Sequence, residues 1–315
     1  MESSQLNDHG VVTDAPLEIV SWTNEEGARF APAMIGSGVF AGEFSLDYAY
    51  SRQDSEGVRL GDALRSIGYV GESPLGRRLY AAAFELHIEQ GPILEAAAKS
   101  IGIVTGVQGI RWYDPTLLGS EAHAGPTPME LRRDPVRAAL LLLGSVYQLA
   151  DKYAPHARVT IGSLDARPGV RNTVPGSLTI TVDLRHPDAN ILSAMDVDLK
   201  SIAALGNTAT GVAVELHDVW YSPPVEFSPT CIDAVRTAVA QLGLDAMDMV
   251  SGAGHDSVYV SRVAPTSMIF IPCKDGLSHN ERESIEPADA SRGADVLLHA
   301  ALAVANSTAA AAPGS

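Results

Sequence analysis

Two kinds of hydrophobic patterning alternate along this chain, and that alternation limits its folds more than any other feature. Continuous apolar runs, LEIVSWT at 17–23, AMDMV at 246–250 and SMIFI at 267–271, read as strands buried on both faces, as in an α/β sheet. Between them, Gly176 to His186 alternates strictly. Leu178, Ile180, Val182 and Leu184 share one face, and Thr179, Thr181, Asp183 and Arg185 share the other, the mark of a half-buried antiparallel strand. Further strands are expected near Val104 to Leu118, Arg158 to Ser163 and Val212 to Trp220. Asp134-Pro135 and Asp188 read as helix starts, the second helix running through Ala204. The span 108–222 therefore predicts a β-α-β, β-α-β unit, a ferredoxin-like α+β lid, inserted into a discontinuous α/β domain formed by 1–107 and 223–305. Ser222-Pro223-Pro224 serves as the linker, and 306–315 reads as a disordered tail.

A chain with 46% apolar and 19% charged residues can fill two moderate cores. A net charge of −16 disfavours nucleic acid and anionic membrane surfaces as partners. Cys231 and Cys273 are too few for a disulfide framework or a cysteine-rich zinc site, which fits a reducing, cytoplasmic setting. The opening residues lack the basic start and apolar core of a signal peptide, and no apolar stretch approaches membrane-spanning length.

Chemistry-bearing residues gather where the buried strands end. LEIVSWT runs into Asn24-Glu25-Glu26-Gly27. In AFELHIE, Glu85, His87 and Glu89 occupy one face of a strand and Phe84, Leu86 and Ile88 the other, before Gly91-Pro92 stops it and Ile93 to Ser100 turns helical. The run at 246–250 enters Ser251-Gly252-Ala253-Gly254-His255-Asp256, and that at 267–271 leads to Ser278-His279. In such sheets reactive groups collect at the carboxyl ends of strands. Imidazole with carboxylate suits zinc, manganese or cobalt. Adjacent carboxylates repel unless a cation neutralises one, which gives Glu25-Glu26 a functional reading beside the plain one of a solvated loop pair. His255-Asp256 reads equally as a cap for the helix that follows.

Seven segments in order, WTNEEGARF (22–30), ELHIEQGP (85–92), AHAGPTPM (122–129), RNTVPG (171–176), DLRHPD (183–188), SGAGHD (251–256) and GLSHNERE (276–283), resemble the signatures of one family. It comprises the N-carbamoyl-L-amino-acid hydrolases, allantoate amidohydrolases and β-ureidopropionases, within the zinc aminoacylase and carboxypeptidase clan. The resemblance runs from about residue 6 to 305. It implies a metal-dependent hydrolase of linear amide or ureido C–N bonds, acting as a homodimer on a small substrate with a carboxylate. By position, Glu25 resembles the general base, Glu26 a ligand of one metal with His279 as its partner, and His87 a ligand of the other. Gln90 resembles a substrate-amide contact. Asn172 and Arg185 resemble substrate-holding residues, and His123 the histidine that enters the other subunit's site to steady the oxyanion. Gly252, Ala253 and Gly254 would bring backbone close to the substrate.

The family normally carries a His-x-Asp strand end and a bridging Asp upstream of NEEG; neither stands here, so the chain reads as lacking the opening of its catalytic domain. Complete members hold two divalent ions, zinc or manganese, whereas here one or none is possible. Three ligands and a water suffice for a catalytic zinc. Two other readings stay open: a catalytically impaired remnant that at most binds a small anion as a dimer, and an aminoacylase or peptidase of the same clan.

Overall fold

The structure, a computed structural model, describes residues 6–73, 75 and 79–307, with 207–210 as backbone alone. It divides into two compact units, one being Gln108–Val225 and the other the described residues on either side of it. Along the chain come helices Ile35–Ala41, Leu46–Ser51 and Leu60–Ser66, strand β1 (Ala83–Ile88), a short helix Ile93–Ala96 and β2 (Ile101–Val107). The second unit contributes β3 (Gly109–Leu118), β4 (Ala122–His123), helix Pro135–Lys152, β5 (Arg158–Arg167), β6 (Thr173–Val174), β7 (Ser177–His186), helix Ala189–Thr210 and β8 (Ala213–Ser222). After β9 (Val225–Glu226) follow helix Pro229–Leu242, β10 (Ala246–Ser251), helix Ser257–Val260, β11 (Thr266–Ile271) and helix Pro287–Ala305.

The first unit is a mixed sheet in the order β1–β11–β2–β10. β1 runs parallel to β11 and β2 parallel to β10, but β2 and β11 are antiparallel, so the two pairs point in opposite directions. Met268, Ile269, Phe270 and Ile271 of β11 are wholly buried, which explains the unbroken apolar run in the sequence. Leu86, on the apolar face of β1, meets helix Pro287–Ala305 at Gly293. A Cβ there would fall 2.6 Å from Ile271 and 2.7 Å from Leu86, so only glycine lets the helix lie this close to the sheet.

In the second unit, antiparallel pairing in the order β5–β7–β3–β8 gives the ferredoxin-like β-α-β-β-α-β arrangement. Leu178, Ile180, Val182 and Leu184 of β7 enter a core with Leu142, Val146, Leu149, Leu192, Met195 and Leu199 from the two helices. Each such side chain contributes about 1.5–3 kcal/mol on burial, so the alternation in sequence has a direct energetic meaning. Both helices begin as read. The Asp134 carboxylate accepts from Val136 N at 2.9 Å, and that of Asp188 from Asn190 N at 2.7 Å.

Four expectations change. LEIVSWT is not a strand: Leu17, Ile19 and Val20 are 42%, 79% and 52% exposed, and no described strand pairs with them. A strand needs a ladder partner to satisfy its backbone, and apolar character alone does not supply one. The helix expected over 93–100 ends at Ala96, because Ile101 already belongs to β2. The stretch 104–118 holds two strands of different sheets, separated at Gln108. In the tail, Asn306 Oδ1 accepts from Asp14 N at 3.3 Å and Ser307 Oγ donates to Val304 O at 2.9 Å, so these two residues finish the last helix; 308–315 lie outside the described residues. Among the described residues no helix is long and apolar enough to cross a membrane.

Candidate active site

Glu25 and Glu26 stand in a loop that is tightly tied although it is irregular. Asn24, in the left-handed region at φ 59°, donates through Nδ2 to Phe30 O at 2.7 Å and to Pro32 O at 3.1 Å. Met34 N returns to Glu25 O at 2.7 Å. Gly27 turns the chain at φ 68°, where a Cβ would lie 2.7 Å from the backbone of Ala33. Below it, Phe30 and Ile35 anchor the loop in a small core with Ala49 and Leu60. The carboxylates are thus presented by a fixed frame.

Glu26 meets His279, Oε2 to Nε2 at 3.2 Å. His279 is itself left-handed, at φ 54°, and its amide donates to Glu283 Oε2 at 3.1 Å. His87 belongs to a second cluster. Glu85, His87 and His255 each bring one ligand atom within 4.8 Å of the others, and the two imidazole rings stand 4.7 Å apart, edge to face. Alternation in β1 turns Glu85 and His87 to the same face, and the loop after β10 folds over that face to deliver His255. His87 stands one residue before the carboxyl end of β1 and Glu85 three residues before it.

Glu25 links the two groups electrostatically. Burial holds its carboxyl above the usual range, the negative charges of Glu26 and Glu85 push the same way, and His87 and His279 oppose them. Asp256 is pushed up to about 7, chiefly by burial and also by Glu85 and Glu25, against the bond from the Ser37 hydroxyl. Burial, reinforced by His87, drives His255 down to about 3, so its ring is neutral. One small volume therefore holds Glu25, Glu85, Asp256 and several imidazoles. Such crowding of carboxylates is costly without a cation.

The remaining residues singled out from the sequence fall in three places. Gln90 follows β1 in the left-handed conformation, φ 58°, with Oε1 buried and without a hydrogen-bond partner. Strained positions of this kind recur around the site, at Asn24, Met34, Gln90 and His279. In the 251–254 turn, Ala253 N and O both bond to the Ser251 hydroxyl, at 3.1 and 3.0 Å, and Gly254 leaves space for the Met34 thioether. In the other unit, His123 and Asn172 come together: β4 pairs with β6, Ala124 N donates to Asn172 O at 2.9 Å, and His123 Nδ1 accepts from Gly125 N at 3.1 Å. Arg185 grips Asp183, with Nη2 to Oδ2 at 2.7 Å, and Trp112 Nε1 holds the same carboxylate at 2.9 Å.

Reading the sequence missed Glu85 and His255. The alternation of β1 already placed Glu85 beside His87, so that signal was available. His255 carried none, because the fold-over of its loop is a tertiary event. Nor do His255 and Asp256 cap the following helix with their side chains: His255 bonds to Ser251 Oγ at 2.8 Å, and Asp256 pairs with Ser37.

A mixed α/β sheet here bears clustered carboxylates and imidazoles, donors of the kind a metal-dependent hydrolase uses, in a chain that also forms a ferredoxin-like unit. The model for peptidase family M20/M25/M40 matches residues 3–303, and the chain belongs to that family. Within it the chain stands with the amidohydrolases of C–N bonds other than peptide bonds. It is 46% identical over 300 residues to an N-carbamoyl-L-amino-acid amidohydrolase of Rhizobium meliloti, covering 95% of this chain and 72% of that protein. An allantoate amidohydrolase of Bacillus subtilis is 34% identical over 269 residues, covering 85% and 65%. Among solved structures, an amidase of the hydantoinase/carbamoylase family from Burkholderia multivorans superposes with a TM-score of 0.92 at 51% identity, covering 95% of this chain and 73% of that one.

Proposed function

We propose that this protein hydrolyses the ureido C–N bond of an N-carbamoyl-L-amino acid or a close relative such as allantoate, in the cytoplasm and as a homodimer. Supporting this reading, Glu26 meets His279 at 3.2 Å, and His87 and His279, far apart in sequence, both act electrostatically on Glu25. The oxygen and imidazole donors suit zinc or manganese, with Glu26 and His279 in one position and His87 in another. A divalent ion bound there lowers the pKa of water toward neutrality and polarises the scissile carbonyl.

Glu25, raised by burial and by its neighbours, is suited to take a proton from the attacking water and return it to the leaving nitrogen. Gln90, whose buried Oε1 has no partner among the described residues, offers an acceptor to a substrate N–H. Arg185 presents a planar fork to the substrate carboxylate, with Asp183 fixing the guanidinium, and Asn172 is a second substrate contact. His123 of the partner subunit steadies the charge that develops on the carbonyl oxygen.

The lid's own geometry supports a dimer. At about 3.3 Å per residue, Ser177 and Arg185 stand roughly 26 Å apart along β7. His123 and Asn172 lie beyond the Ser177 end, so one copy of the lid cannot bring them and Arg185 to a single small substrate, whereas two copies related by a twofold axis can. Buried free thiols at Cys231 and Cys273 fit a reducing compartment. The test is to load the metal-stripped protein with manganese or zinc and follow amino-acid release from N-carbamoyl-L-amino acids and ammonia release from allantoate. Turnover of a simple dipeptide or N-acyl amino acid with neither ureido substrate cleaved would favour the peptidase reading.

A further inference from the structure

We infer that Glu85, His87 and His255 form a divalent-cation site of their own, a two-imidazole, one-carboxylate set separate from the Glu26–His279 pair. It rests on the metal-dependent reading above and assigns as ligands Glu85 and His255, to which the resemblance gives no role.

The argument is one of hydrogen-bond accounting. His87 Nδ1 lies 2.8 Å from the Ile88 carbonyl, which can only accept, so Nδ1 donates there and Nε2 is the ring nitrogen left to ligate. For His255, Nε2 lies 2.8 Å from the Ser251 hydroxyl. That hydroxyl spends its single proton on Ala253 O at 3.0 Å and accepts from Ala253 N at 3.1 Å. Nε2 of His255 must then be the donor, which leaves Nδ1 as a bare lone pair. This atom is buried, on a residue 1% exposed, and has no hydrogen-bond partner. The opposite tautomer fares worse. It would aim a buried N–H at Glu85 Oε1 from 4.0 Å, too far to bond.

Glu85 completes the set. Its Oε2 is occupied by Ser257, accepting from the amide at 3.0 Å and the hydroxyl at 2.6 Å, which fixes the carboxylate and leaves Oε1 facing the two rings. Each member of the set is therefore left with one ligand atom free of hydrogen bonds among the described residues. Two imidazoles and a carboxylate with ligand atoms within 4.8 Å of one another are a poor hydrogen-bonding cluster but a chemically apt cradle for a cation of borderline softness. Ligands about 2.0–2.2 Å from zinc stand no more than about 4.4 Å apart, so closure asks for a shift of a few tenths of an ångström. The two Ser257 bonds and the Ser251 bond are the outer contacts that orient such ligands.

Cobalt binding tests this directly. The full chain, stripped of metal, is titrated with Co2+ alone while its visible d–d bands are recorded, for wild type, E85Q, H255Q and E26Q. E85Q keeps the side-chain shape and puts a donor among the acceptors, so it probes the site without opening a cavity; circular dichroism checks that each variant is folded. We expect E85Q and H255Q each to weaken one equivalent of Co2+ by more than the roughly 100-fold ceiling of an outer-contact change, and to alter its bands. E26Q should leave those bands in place. If the wild type binds Co2+ while E85Q and H255Q bind it with unchanged affinity and spectrum, the assignment of Glu85 and His255 is wrong and the metal-dependent reading survives. If the wild type takes up no Co2+, both fail together.

Discussion

The Nε2 atom of His279 stands 3.2 Å from the Glu26 carboxylate, joining loops from opposite ends of the described chain on a surface where both side chains are more than half exposed. An exposed pair of this kind adds at most about 1 kcal/mol to stability, so structural need does not account for it. Replacement of Glu26 by Gln should leave the melting temperature within about two degrees of wild type and remove one equivalent of bound metal by elemental analysis. A large fall in melting temperature with unchanged metal content would assign the pair to folding.

Glu25 differs from its neighbour in burial and in role. Glu25→Gln should retain the metal content of the wild type and lose kcat by about 10²- to 10⁴-fold, the usual contribution of a general base. Turnover within a factor of a few of wild type would remove Glu25 from proton transfer.

Gly27 sets the loop that carries both carboxylates. Gly27→Ala forces an L-residue into left-handed backbone, a cost of about 1–2 kcal/mol, and puts a methyl group 2.7 Å from the Ala33 backbone. Denaturant unfolding should show a loss at least that large, accompanied by weaker metal binding as Glu26 is displaced. An unchanged unfolding midpoint would show that the loop frame is softer than its hydrogen bonds imply.

His186 makes the ferredoxin-like unit sensitive to acid. It is buried, with Nδ1 accepting from Asp188 N at 2.9 Å, and burial holds its pKa below the ordinary histidine value, outweighing the contribution of Asp188. Between that lowered value and about 6.5, the unfolded chain binds a proton that the folded chain refuses. Stability is therefore full above about pH 6.5 and falls as the pH drops through this window. His186→Asn, whose Oδ1 can take the place of Nδ1, should narrow the difference between urea midpoints at pH 5 and pH 7. An undiminished difference would place the acid sensitivity elsewhere.

Much of the fold was legible because local rules and tertiary structure agree in those places. The strict alternation of β7 fixed its buried face, Asp134 and Asp188 fixed two helix starts, and the run at 267–271 announced a fully buried strand. LEIVSWT shows where such reading stops, since an apolar run specifies a wish for burial without naming a ladder partner.

For the site, sequence by itself determined the chemical types and their local frames: two adjacent carboxylates before a glycine turn, a strand that shows Glu85 and His87 on one side, and a histidine in each of two later loops. Only the tertiary structure decided which of these meet. β10 runs against β1, so its loop must cross the sheet face, and that crossing puts His255 against His87 while His279 goes to Glu26. Strand direction depends on which strands pair, a non-local choice made by the whole core, and no spacing along the chain encodes it.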